Sequence, residues 1–132
     1  MKYIPQAPPF VMIDELLFAD ERQAQTRFTI PAGHLFVIQN VFTEPGLVEN
    51  MAQTAAAGTG KQAADLGLSA PVGFIGQVKN LHIYQLPEVG ETITSTVIHT
   101  ARVMNALVAE GSIRCNGVVI ARAEFKVFLQ ES

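Results

Sequence analysis

Gly33-His34 stands fifteen residues ahead of Glu49, which lies in the run TEPGLVENMAQTAAAGTG at positions 43–60. An imidazole and a carboxyl are the smallest set that can take a proton from carbon and return one to a departing oxygen. Imidazole changes protonation near neutrality and suits the base. A carboxyl at the edge of an apolar surface suits the acid, because partial burial disfavours its charged form. Gly33 allows another group to approach His34 closely. Gly46, three residues before Glu49, offers a backbone N–H to a carbonyl oxygen if a helix starts there, with the helix dipole behind it. Each residue also has an ordinary reading. An acid early in a helix complements the dipole, a histidine in a loop is a common polar residue, and Gln53 can simply bond a backbone group. His82 and His99 fall in strand-like stretches, and no histidine has metal-ligand spacing, so neither a metal nor another cofactor is expected.

The elements that must position this pair are read from periodicity. Only residues 44–66 read as a long helix. Pro45 suits its first turn and Thr43 or Glu44 can cap it. Leu47, Val48, Met51, Ala52, Ala55, Ala56 and Ala63 fall on one apolar stripe, and Gly67 is placed to end the helix. Advancing about 100° per residue puts Glu49 at the edge of that stripe in the second turn, with Gln53 one turn on and Asn50 facing away. Gly58 and Gly60 amid four alanines predict a helix pressed against something flat. They lack the strand-then-turn setting of a nucleotide loop.

Strands are predicted at 11–18, 23–30, 73–85, 92–103, 107–115 and 118–129, several with clean period-two alternation. Val119, Ala121, Ala123, Phe125, Val127 and Leu129 share one face of the last. Asn116-Gly117 is a strong two-residue hairpin signal. Cys115 alternates onto the apolar face with Ala109, Gly111 and Ile113 and reads as a small buried hydrophobe. Five or six antiparallel strands curled around one helix use all of these signals, an α+β architecture.

The bulk properties fit one domain spanning 1–132. Apolar residues are 48% and charged residues 16%, a sparsely charged surface that predicts a second copy of the chain covering part of it. A net charge of −3 argues against a nucleic-acid footprint. One cysteine fits a reducing compartment. Prolines and Asp14 interrupt the opening MKYIPQAPPFVMIDE, and no window has the length of a membrane span, so a soluble cytoplasmic protein is expected.

In order along the chain, IPQAPPFVMIDELL, then Gly-His, then Pro-Gly with ENMAQTAAAG, then FIGQVKNLHIYQLPEVGETI and RAEFKVFL resemble the hotdog-fold 3-hydroxyacyl-[acyl-carrier-protein] dehydratases of bacterial fatty acid synthesis. The likeness runs over nearly the whole chain. It implies a hotdog fold, a central helix wrapped by an antiparallel sheet, with two subunits pairing their sheets side by side and His and Glu coming from different subunits. His34 would then remove the C2 proton, Glu49 would protonate the departing 3-hydroxyl, and the Gly46 amide would polarise the thioester carbonyl. The partner implied is an acyl carrier protein, met by a basic rim for which Lys61, Lys79, Arg102 and Arg122 are candidates. An acyl chain needs an apolar tunnel along the helix, with Phe36, Met51 and Phe74 as lining and Gln53 beside it. The chain departs from the family where Leu35-Phe36-Val37-Ile38 replaces Phe-Pro-Gly after the Gly-His pair. Pro45-Gly46 also stands two residues nearer the Glu, and the His-to-Glu spacing is one residue longer. These departures imply an altered pocket and a specialised member, serving a polyene, pigment or outer-membrane lipid pathway. Two other readings stand beside it: a hotdog thioesterase in which the helix carboxylate activates water, and a non-catalytic partner in a heterodimer.

Overall fold

The computed structural model describes residues 3–4, 10–69 and 72–130, without the side chains of 72–74 and 129–130. Its strands are β1 (Glu15–Ala19), β2 (Gln23–Thr29), β3 (Val37–Ile38) and β4 (Val41–Phe42) before the helix α1 (Glu44–Asp65). After it come β5 (Val72–Ile83), β6 (Thr92–Val103), β7 (Ala106–Cys115) and β8 (Val118–Gln130). Six strands form one antiparallel sheet in the order β1-β2-β6-β7-β8-β5, and β3 and β4 make a separate small hairpin. The sheet's inner face wraps the helix. Phe28 from β2, Ile93 and Val97 from β6, Ala109 and Ile113 from β7 and Phe125 from β8 close on Leu47, Met51 and Ala55 of α1.

The helix ends follow from local chemistry. Pro45 occupies the first turn. At the other end Gly67 adopts φ 70°, the Leu68 N–H reaches the Ala63 carbonyl at 2.8 Å, and the Gly67 N–H reaches Ala64 at 3.0 Å. This is the paired closure that a left-handed residue after the last turn permits. The glycines explain the close packing. A Cβ on Gly58 would stand 2.7 Å from the Ala24 Cβ on β2, and one on Gly60 would collide with the Tyr3 carbonyl. A larger residue at position 58 would push the helix off the sheet, and one at position 60 would press on the Tyr3 backbone.

Three features differ from the sequence expectation. The buried arc of α1 is wider than an apolar stripe: Asn50, Gln53 and Thr54 are fully buried, whereas Val48, Ala52 and Ala56 are half-buried. Asn50 therefore faces inward, not away. It can do so because the sheet and residues 10–13 surround the helix and supply polar partners. Residues 11–13 do not belong to the first strand, which begins at Glu15 and carries an irregularity between Leu16 and Phe18. In β8 the pairing shifts between Ala121↔Ile113 and Val119↔Arg114, so Ile120 is an inserted residue that turns inward, and Val119 leaves the core face. A bulge reverses the alternation on one side of it.

Candidate active site

His34 sits in the turn that leads from β2 to the β3–β4 hairpin, just after Gly33 at φ 76°. Its ring is held by three phenylalanines. Phe28 and Phe42 meet it in T-shaped contacts at 5.9 and 5.6 Å, and Phe36 lies at 6.2 Å. The Phe36 N–H donates to His34 Nδ1 at 3.1 Å. Residue 36 is itself pinned, because its carbonyl accepts from the Thr43 N–H at 2.9 Å and from the Thr43 hydroxyl at 2.7 Å. Thr43 is the residue before the helix, and its hydroxyl is used for this tie instead of capping the helix's own N–H groups. The loop carrying His34 is thus fastened to the start of the helix carrying Glu49. His34 Nε2 is buried without a hydrogen-bond partner. A buried polar atom left so costs about 1–3 kcal/mol, so it calls for an explanation.

Glu49 is half-buried in the second turn of α1, as its place at the edge of the apolar arc predicts. The Gln53 side-chain amide donates to Glu49 Oε1 at 3.3 Å and to the Phe10 carbonyl at 2.8 Å, while its own oxygen accepts the Met12 N–H at 2.8 Å. Asn50 completes this clamp on the N-terminal segment by donating to the Met12 carbonyl at 2.7 Å. Behind it, the Ser95 hydroxyl donates to Asn50 Oδ1 at 2.5 Å, and the Thr26 and Thr54 hydroxyls meet at 2.7 Å. The buried polar residues of the helix are all satisfied, and Gln53 ties Glu49 to residues 10–12.

The other sequence-named residues fall in different places. Gly46 is buried under Phe42 and Phe36, and its N–H already donates to the Thr43 carbonyl at 3.0 Å. The free N–H expected there is closed into the tight first turn of the helix. Met51 is 1% exposed, and a Cβ on Gly111 would stand 2.6 Å from its sulfur, so its side chain fills core space rather than walling a channel. Phe36 is half-buried beside His34, and the Phe74 side chain lies outside those described. Lys61 pairs with Asp65 at 2.6 Å on the helix surface. Arg122 stands opposite His82, and Lys79 opposite Glu124, across the β5–β8 ladder. Arg102 is at the far end of β6, reaching the Met104 carbonyl at 3.4 Å. The four cations therefore do not converge on one rim. A groove of about 520 Å³ lies on the outer face of the sheet, where Glu110, Arg114, Arg122 and Glu124 line it, on the side of the sheet opposite α1. Among the described residues no three His, Cys, Asp or Glu side chains group as a metal site. No described helix is long and apolar enough to cross a membrane.

The sequence named Phe36 as tunnel lining and Thr43 as a cap, but not the box of rings around His34 or the Phe36–Thr43 tie they form. Phe28 falls in the alternating strand expected at 23–30. Phe42 falls in no expected strand, because the β3–β4 hairpin turns on Gln39 and Asn40, both at positive φ, with no glycine to mark it.

The ApeP-like family, described as ApeP dehydratase, matches residues 1–132. The chain belongs to that family. No curated protein matches it. Among solved structures, the dehydratase heterocomplex ApeI:P from Xenorhabdus doucetiae is similar at a TM-score of 0.89 and 16% identity. That match covers 98% of this chain and 90% of the other. The E. coli PaaI protein from the phenylacetic acid degradation operon is similar at 0.69 and 16% identity, over 86% and 81%. A hypothetical thioesterase with coenzyme A from Streptococcus pneumoniae is similar at 0.70 and 12% identity, over 89% and 86%. At such identities the likeness establishes the fold: a six-stranded antiparallel sheet around one helix, the hotdog fold shared by dehydratase and thioesterase-like chains.

Proposed function

We propose that this ApeP-like chain dehydrates a 3-hydroxyacyl thioester carried by an acyl carrier protein to the trans-2-enoyl thioester, in the cytoplasm. His34 and Glu49 are the acting pair. The observation that carries the reading is the state of His34: a ring locked by three aromatics and a backbone N–H, with its remaining nitrogen buried and unbonded. An ordinary loop histidine would point a polar atom at water. Glu49 supports it, half-buried on a helix whose first turn is tied to the histidine loop. The chain works as one of two, joined along β5, whose 12 residues form an edge of the sheet with β8 on one side only. An edge of that length invites another strand. In this reading His34 of one subunit meets Glu49 of the other, as the family likeness implies.

Turnover of a 3-hydroxyacyl carrier-protein thioester to the enoyl product tests this, with His34→Ala and Glu49→Gln beside the wild type. Each substitution is expected to remove about 10²–10⁴-fold in rate. Release of free acid at a rate indifferent to His34→Ala would instead identify a thioesterase. A second reading is that the chain acts only as part of a heterodimer, favoured by its likeness to a chain of a dehydratase heterocomplex. It predicts no turnover alone and activity on mixing with a second hotdog chain.

A further inference from the structure

We propose that the outer face of the sheet is a contact between two copies of this chain, turned end over end so that the acids of one meet the cations of the other. The contact lies outside the His34 and Glu49 site and stands whether or not the dehydratase reading holds. The register of β7 and β8 sets two rows of side chains across that face. Glu110 stands opposite Glu124, and two residues along the strands Ser112 stands opposite Arg122. Arg114 adds a second guanidinium beyond Ser112, since alternate residues of a strand share a face. All four charged side chains are exposed, and all four line the groove of about 520 Å³ on that face. The two rows are about 7 Å apart, as two residues of extended strand require. Gly111 and Ala123 lie between them and offer no long side chain to fill the gap.

In one copy by itself this pattern is unfavourable, because like charges directly opposite each other destabilise a sheet. Among the described residues neither glutamate and neither arginine makes an ion pair. Lys79 stands opposite Glu124 on β5 without closing on it. The two acids and two arginines cancel, so the groove is dipolar, acidic along one row and basic along the other. Such a surface does not match a ligand of one sign. It matches itself reversed. A two-fold axis lying across the strands between the rows sets Glu124 of each copy over Arg122 of the other, and Glu110 over Ser112. A contact of this isologous kind uses each pairing twice. Ile98 is opposite Glu110 on β6 and 38% exposed, so with Val119 it adds apolar surface to bury beside the charges. The face leaves the β5 edge free, so the same contact can join two pairs built along β5.

Sedimentation over a concentration series tests this, with circular dichroism to check that each variant is folded. Arg122→Glu and Glu124→Arg are each expected at half the wild-type mass. Either reversal sets like charges together at both symmetry-related pairs and should raise the Kd between copies about 10²-fold. A chain carrying both reversals keeps the match with the signs exchanged, and should return to within about tenfold of the wild-type Kd. Mixing the two single variants should also restore the heavier species, since each then presents what the other lacks. The wild-type association should weaken as added salt screens the pairs. A wild type no heavier than the two single variants overturns the proposal, and so does a folded double variant that stays as light as they are. If the double variant does not fold, the mixture decides: no heavier species there overturns the contact.

Discussion

His34 and Glu49 differ in what holds them. The histidine is set by packing and one short-range hydrogen bond, the glutamate by Gln53, which also grips residues 10–12. Gln53→Ala would strip partners from the Met12 N–H and the Phe10 carbonyl. Each buried group left unsatisfied costs about 1–3 kcal/mol. A lowered midpoint in urea, together with faster proteolysis ahead of β1, is the expected result. Gly46→Ala would place a methyl 2.5 Å from the Phe42 ring and 3.0 Å from the Phe36 Cβ. Phe42 is fully buried, so its ring has nowhere to go. The variant should lose about 1–3 kcal/mol of stability to overpacking. Because Phe36 and Phe42 also wall His34, turnover should fall by more than stability alone accounts for.

Among the elements, β6 carries a second histidine with a different consequence. His99 stands opposite Ala109 on the inner side of the sheet, its Nδ1 buried without a partner, and burial holds its pKa below the usual 6.5. The folded state therefore binds fewer protons than the unfolded chain as the pH falls through that value. The stability His99 leaves intact at higher pH is lost below about 6.5, down to its folded pKa. Denaturation midpoints measured between pH 5 and 8 should fall on the acid side, and His99→Leu should flatten that slope. The β7–β8 hairpin holds Cys115, whose thiol is pushed up by burial and then by its contact with Glu91. It should react with a disulfide reagent only as fast as the hairpin opens. A fast reaction in the native protein would contradict its buried place.

At the scale of the whole molecule, β5 is an edge of the sheet, and the proposed function seats a second chain along it. If two copies assemble and each site takes His34 from one and Glu49 from the other, two dead variants can restore each other. Mixing unfolded His34→Ala and Glu49→Gln chains and refolding them together should return about a quarter of wild-type activity. Half of randomly assembled dimers are mixed, and each then has one intact site of two. No recovery, with dimers present by sedimentation, would put both residues of a site in one chain or require a different partner.

The helix, its ends, six strands and the Asn116-Gly117 turn were legible in the sequence, because each rests on local chemistry: apolar periodicity, proline at a helix start, residues that tolerate positive φ. His34 and Glu49 were legible as residue types with a useful spacing. Their settings were not. Asn50 was read as facing away because a stripe assumes that one side of a helix meets water, and here sheet and N-terminal segment enclose it. The Gly46 N–H was read as free, yet the tight turn onto Thr43 closes it, and the Thr43 hydroxyl was read as a cap, yet it reaches back to Phe36. Whether a polar group is free depends on which atoms the fold brings within hydrogen-bond reach of it. The partners of Asn50, Met12 and Ser95, come from distant parts of the chain, and only the tertiary structure brings them to the helix.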